Sequence, residues 1–289
     1  MTAVRTAAPA MLAAAALLLS VPAAASASHG RPSVAALQVA LKAEGLYAGS
    51  IDGIRGPGTR RAIARFQMRE GIGVDAVAGP RTRRALGRRG RPGIGTRPIR
   101  TGMRGWDVSA LQFSLAEHGF PSGPIDGGFG PRSARALRRF QRWAGLAVDG
   151  VAGPGTLRAL RRRVPRSVLR FLAPVGGPVG DRFGPRGVGL HSGLDYPVAA
   201  GTRVAAAGRG CVASAGWDAG GYGNLVVIRH RLGMTTWYAH LSTIAVRPGQ
   251  CVVAGDRVGT VGATGHTTGP HLHFEMRLRG AVVDPLTGL

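Results

Sequence analysis

Residues 34–86 recur at 108–160 without a gap, every position displaced by 74. Leu37-Gln38 aligns with Leu111-Gln112, Leu41 with Leu115, and Gly45 with Gly119. Ile51-Asp52-Gly53 aligns with Ile125-Asp126-Gly127, and Gly56-Pro57 with Gly130-Pro131. Phe66-Gln67 aligns with Phe140-Gln141, and Ala78-Gly79-Pro80 with Ala152-Gly153-Pro154. Chance does not produce such a match, so a small module is duplicated. Each copy reads as three short helices. The first, 34–44, places Val34, Leu37 and Leu41 on one face and stops at Gly45. Asp52-Gly53 makes a turn, Pro57 sits near the start of a second helix through Phe66, and Pro80 or Pro154 opens a third that ends by Leu86 or Leu160. Arg61, Arg65 and Arg69 share one helix face, which a solvated surface explains by itself. The Arg-, Gly- and Pro-rich stretch Gly87–Gly105 lacks a hydrophobic period and reads as a linker, as does Arg161 to about Arg170.

From Phe171 the texture changes to short apolar or alternating runs punctuated by glycine. Arg203–Ala207, Leu225–His230, Thr235–Tyr238, Val252–Val253, Val258–Val261 and His271–Arg277 predict strands of a mostly antiparallel β domain. The expected fold is therefore multidomain, two small all-α three-helix repeats followed by a mainly antiparallel β domain.

That β domain holds the chemistry. In Thr268-Gly269-Pro270-His271-Leu272-His273-Phe274-Glu275 the two histidines point to one face of a strand, because strand side chains alternate. His191-Ser192-Gly193-Leu194-Asp195 adds a nitrogen and a carboxylate oxygen, and Tyr238-Ala239-His240-Leu241 adds another imidazole. His191, Asp195 and one of the last pair make a three-ligand site with a fourth position open to water, which separates catalytic from structural zinc. The remaining histidines would move protons and stabilise negative charge. His118, His230 and His266 read as structural or rim residues. Glu275 is either a partner of the ligands or a surface carboxylate at a strand end. There is no H-E-x-x-H, so a glutamate base of that kind does not apply.

The start of the chain reads as an export signal over 1–27: Arg5, an apolar run from Met11 to Val21, and Ala25-Ser26-Ala27 as the cleavage site. No later segment approaches transmembrane length, so stable membrane insertion after cleavage is not expected and the mature protein is expected to be soluble outside the cytoplasmic membrane. Cys211 and Cys251 fit an oxidising compartment. Bridged, they would contribute roughly 3–4 kcal/mol on the chain-entropy model; two separate thiols are the alternative. Of the net charge of +24, residues 171–289 hold 10 Arg and 6 acids, a balance of +4, so +20 lies in 1–170. Anionic cell-wall polymers are the matching partners outside a cell. Nucleic acid is disfavoured, with few aromatics to stack bases and no recognisable binding motif.

The repeats resemble the peptidoglycan-binding-domain-like family through their L-Q…D-G…G-P-x-T…F-Q…A-G-P pattern, which implies helical bundles that bind peptidoglycan. The first copy departs at Ala76, where the second has Gly150, and a distorted turn is expected there. The β domain, about 173–286, resembles the lysostaphin-type (LytM-like) zinc metallopeptidases. The motifs are Phe183–Arg186, His191–Asp195, Gly201–Ala207, Gly221–Asn224, Tyr238–Ser242 and Thr268–Glu275. The resemblance implies zinc held by His191, Asp195 and His273, with His240 and His271 as the catalytic pair. It implies an endopeptidase acting on the stem or cross-bridge of peptidoglycan, or, where such domains have lost ligands, a wall-binding scaffold or hydrolase activator. The expected order is signal (1–27), repeat (31–87), linker (88–104), repeat (105–161), linker (162–172) and zinc peptidase domain (173–289).

Overall fold

The structure, a computed structural model, describes residues 30–289. The expected export signal lies outside the described residues.

The first repeat comprises α1 (Pro32–Ala43), α2 (Pro57–Arg69) and α3 (Pro80–Ala85). The second comprises α4 (Trp106–Glu117), α5 (Pro131–Trp143) and α6 (Pro154–Ala159). Four of these helices open with proline behind an extended glycine, where a missing N–H costs nothing.

The residues that define the repeat are largely spent on holding it together. Gln38 Nε2 donates to Asp52 Oδ1 at 2.6 Å and Thr59 Oγ1 at 3.1 Å, while its Oε1 accepts from Gly53 N at 2.9 Å. Gln67 does the same with Asp75, Thr82 and Ala76 N. Gln112 serves Asp126, Ser133 and Gly127 N, and Gln141 serves Asp149, Thr156 and Gly150 N. A buried amide that satisfies a turn and a helix start at once pins three chain segments. The turn at Ala76 is not distorted. Ala76 takes φ 55, the same left-handed conformation as Gly150 at φ 74. A Cβ on Gly150 would lie 3.0 Å from the Arg138 guanidinium, and the first copy has Ala64 in place of that arginine.

The two repeats share their interior. Ala35, Ile51, Phe113 and Ile125 form one cluster, and Trp106 and Ala110 lie in the core of the first repeat. α1 is consequently buried from Val34 to Leu41 except at Val39, a wider face than the one stripe expected. The segment between the repeats is not a free tether. Ile99 is fully buried and bridges to Ala152, and Arg97 forks onto the buried carboxylate of Asp107 at 2.7 and 3.2 Å.

The β domain begins with a separate hairpin, β1 (Gly184–Arg186) and β2 (Gly189–His191). An antiparallel sheet follows, made of β3 (Leu194–Tyr196), β4 (Arg203–Ala205), β5 (Gly210–Asp218), β6 (Gly223–Arg229), β7 (Met234–Ile244), β8 (Cys251–Val252), β9 (Arg257–Val261), β10 (Leu272–Leu278) and β11 (Ala281–Val283). Its order is β11-β10-β7-β6-β5-β8, with β3 also paired to β10, and β9 joining β7 to β4. Tyr238, Phe274, Leu194 and Ile228 are among the residues of its core. All six expected strands are present. β5 escapes the sequence pattern because most of its residues face solvent, and β1, β2 and β3 are too short to show a period. Cys211 and Cys251 stand opposite each other on β5 and β8 and are disulfide-bonded. Among the described residues no helix is long and apolar enough to cross a membrane.

Candidate metal centre

Strand pairing assembles the site. β10 lies between β3 and β7, and its register sets His273 opposite Asp195 on one side and Ala239 on the other. His191 ends β2, and His240 follows Ala239. His191 Nε2 comes to 3.1 Å from Asp195 Oδ1 and 3.2 Å from His273 Nδ1, and His273 Nδ1 lies 2.7 Å from Asp195 Oδ1. The three side chains offer ligand atoms within 4.8 Å of one another and could hold a metal ion. Two imidazole nitrogens and a carboxylate oxygen are a donor set that suits zinc with an open fourth position.

His271 stands outside that trio. Its Nε2 is 3.7 Å from Asp195 Oδ1, and its ring centroid is 4.8 Å from that of His240. His240 adopts φ 60, in the left-handed region, at a bulge where the β6–β7 register shifts between Asn224 and Val226. A non-glycine residue there stores about 1–2 kcal/mol of strain, as residues that aim into functional clefts often do. The Tyr222 carbonyl holds it, accepting from His240 N at 2.9 Å.

Every one of the four rings has one nitrogen occupied from behind. His191 Nδ1 donates to the Arg182 carbonyl at 2.9 Å, His240 Nδ1 to Thr264 O at 2.7 Å, and His271 Nδ1 to Gly269 O at 3.0 Å. His273 turns Nε2 to Glu275 Oε1 at 3.1 Å. These acceptors fix which nitrogen faces the cleft: Nε2 of His191, His240 and His271, and Nδ1 of His273. At His191 and His273 a bound metal would take the place of the proton.

Glu275 is fully buried and is no surface carboxylate. Ser192 Oγ and Tyr222 Oη both donate to its Oε1, the latter at 2.8 Å, and Arg277 Nε donates to Oε2 at 2.7 Å. Arg277 in turn lies 3.5 Å over the Trp237 ring. Burial opposes protonation of His273, but Asp195 and Glu275 outweigh it and lift its pKa to about 9. Burial also opposes charge on Asp195, yet His191 and His273 hold its carboxyl well below the usual range. The centre thus draws positive charge to the point where the three donors meet. Burial pulls His240 below the ordinary histidine value, which favours its neutral form at pH 7.

These side chains border a cleft of about 790 Å³, with Arg186 and His266 on its walls. His230 is a buried structural residue, bonded to Arg209 O and Thr236 Oγ1, and His118 packs inside the second repeat. Sequence reasoning gave no role to Tyr222, Ser192 or Arg277. Tyr222, set between Gly221 and Gly223, carried the one available hint. The carbonyls of Arg182 and Thr264 leave no trace in a sequence.

Residues 189–285 match the family described as "Peptidase family M23", and 30–86 and 104–160 match the one described as "Putative peptidoglycan binding domain". The chain is similar to DD-carboxypeptidase/endopeptidase Mpg of Neisseria meningitidis, 47% identical over 98 residues, 34% of this chain and 22% of that protein. It is also similar to the murein hydrolase activator NlpD of Salmonella dublin, 40% identical over 113 residues, 39% of this chain and 29% of that protein. The match therefore spans under a third of either relative. A zinc-containing peptidase from Vibrio cholerae has a TM-score of 0.38 and 35% identity over 40% of this chain and 39% of that one. The chain pairs a peptidase family M23 domain of the LytM/lysostaphin type with two repeats of the peptidoglycan-binding family.

Proposed function

We propose that this protein is an exported zinc endopeptidase that hydrolyses peptide bonds in the stem or cross-bridge of peptidoglycan, targeted to the wall by its two repeats. One observation carries the reading: a complete His191–Asp195–His273 donor trio faces the same cleft as two tautomer-fixed histidines, His240 and His271. Zinc bound by the trio would polarise the scissile carbonyl and lower the pKa of a bound water towards about 7. Whichever of His240 and His271 lies nearer the attacking water takes its proton on Nε2. The other donates to the developing oxyanion when its own Nε2 carries a proton, and the proton taken from the water then passes from the first histidine to the leaving amine. Ser192, Tyr222 and Arg277 act behind the ligands by holding Glu275 against His273.

The repeats supply the wall affinity. Their acids are mostly engaged internally: Asp52, Asp75, Asp126 and Asp149 bind the glutamines, and Asp107 binds Arg97. Arginines such as Arg60, Arg61, Arg65, Arg135 and Arg142 stay exposed, which supports additional attraction to anionic wall polymers.

The name of the Salmonella relative supports a second reading, a wall-binding scaffold or hydrolase activator. Against it stands the full set of five site residues. The deciding experiment digests purified peptidoglycan with the exported protein, with and without a chelator, and identifies fragments by mass. Chelator-sensitive fragments are expected. Wall binding without any cleavage would favour the scaffold.

A further inference from the structure

The β1–β2 hairpin is a two-stranded sheet of its own, unpaired with the main sheet. Three-residue strands in an isolated hairpin are marginal in water, so its support must come from elsewhere. That support comes from both repeats. Gly187 O accepts from Ile51 N at 2.9 Å, Val188 O accepts from Ile125 N at 2.7 Å, and Gly187 N donates to Ser50 Oγ at 3.1 Å. Ile51 and Ile125 are the same position in the two copies, and both sit in the cluster that the repeats share. One copy reaches one carbonyl of the hairpin tip, its twin the next.

The hairpin leads straight into the cleft. β2 ends at His191, and Arg186 on β1 rests on Asp181 Oδ2 at 2.9 Å with Asp195 Oδ2 at 3.5 Å. A second docking point lies at the far end of the strand that bears His273. Val282 N donates to Gly119 O at 3.1 Å, Arg139 Nη2 donates to Gly280 O at 3.1 Å, and Ala281 is buried in the core of the second repeat. A Cβ on Gly119 would meet Val282 O at 2.3 Å, so this approach requires the glycine.

We infer that the tandem repeats are a positioning platform for the cleft as well as a wall anchor: Ser50, Ile51 and Ile125 hold the hairpin that carries Arg186 and His191. The role of the cleft rests on the function proposed above; the docking does not. Duplication has a mechanical reason on this account, because a single repeat would leave half of the hairpin tip unheld. Catalysis then depends on the repeats even when the substrate needs no delivery.

The test uses full-length Ser50→Trp, which wedges the tip away, and Ser50→Thr, which keeps the hydroxyl. Amide exchange over Gly187–His191 is measured together with kcat/KM on a soluble cross-linked stem-peptide dimer. Zinc content, thermal midpoint and binding to insoluble peptidoglycan serve as controls. Ser50→Trp should exchange faster and, compared at full zinc occupancy, lose roughly 10-fold or more in kcat/KM with thermal midpoint and wall binding unchanged, since small misplacements of a site are expensive in rate. Ser50→Thr should match wild type. Should Ser50→Trp unfold, Ser50→Ala is read the same way with a smaller shift. Unchanged exchange in the wedge variant, or faster exchange with unchanged kcat/KM, overturns the proposal. A wild type that cleaves nothing sinks the peptidase reading instead and leaves the exchange comparison to decide the docking.

Discussion

His273 and Glu275 share one face of β10, and Glu275 Oε1 sits 3.1 Å behind His273 Nε2 while Nδ1 faces Asp195. The carboxylate would make the ring a Nδ1 ligand for a bound metal and raise its basicity. Glu275→Gln keeps the shape and removes the charge. Zinc affinity, measured by competition with a chelator of known strength, should fall about 10–100-fold. Unchanged affinity would reduce Glu275 to a packing residue. Glu275→Ala should also lose about 1–3 kcal/mol of stability, because it removes the charged partner of the Arg277 guanidinium and leaves it Tyr222 Oη as acceptor.

Ala76 occupies a backbone conformation that its twin position fills with glycine. Left-handed φ costs an alanine about 1 kcal/mol or more. Ala76→Gly should therefore stabilise the protein by about 1 kcal/mol in urea unfolding. Gly150→Ala should destabilise it by more, since Arg138 crowds that Cβ as well. Equal and opposite effects would mean that the arginine yields freely.

The difference between these two turns shows how far a sequence can be read. The pattern Gln–Asp-Gly–Thr marked the repeats, and pairwise alignment exposed the Ala76 departure. Only the structure showed that Ala64, twelve residues earlier in the chain, replaces the arginine that crowds the second copy. The same holds at the centre. His191, Asp195, His240, His271 and His273 were legible because imidazoles and a carboxylate recur in short fragments. Whether His271 or His273 joined the trio was not a matter of spacing, since both share a strand face. It depends on the register of β10 against β3, which sets His273 opposite Asp195. The left-handed turn at His240 and the carbonyls behind the rings are tertiary facts. The inter-repeat face on α1 was hidden for a similar reason, because the clusters that bury Ala35 and Ala36 are completed by Phe113, Ile125, Trp106 and Ala110 of the neighbouring copy.

Burial pushes the Glu117 carboxyl up to about 7, above its ordinary 4.5. A raised carboxyl pKa means that the folded state holds a proton that the unfolded chain releases. Stability from this group is present below about 4.5 and declines as pH rises towards 7. Glu117→Gln should thus be neutral near pH 4.5 and more stable than wild type by about 1–3 kcal/mol at pH 8. Urea midpoints across that range check the sign; a variant weaker at pH 8 contradicts it.

The disulfide closes a loop with a sequence separation of 40. On the chain-entropy model its loss should cost about 4 kcal/mol. It joins β5 to β8, the edge of the sheet farthest from β10. Cys211→Ser/Cys251→Ser should lower the unfolding midpoint while zinc content stays as in wild type. Loss of zinc at temperatures where the fold persists would show a coupling that this geometry does not provide.

The central claim is a division of labour between His271 and His273 on one strand. Zinc bound per chain, measured on purified His271→Ala and His273→Ala beside wild type, tests it most directly. The account predicts one zinc in wild type and in His271→Ala, with peptidoglycan cleavage lost in the latter, and little or no zinc in His273→Ala. Full zinc in His273→Ala, or its loss from His271→Ala, would contradict it.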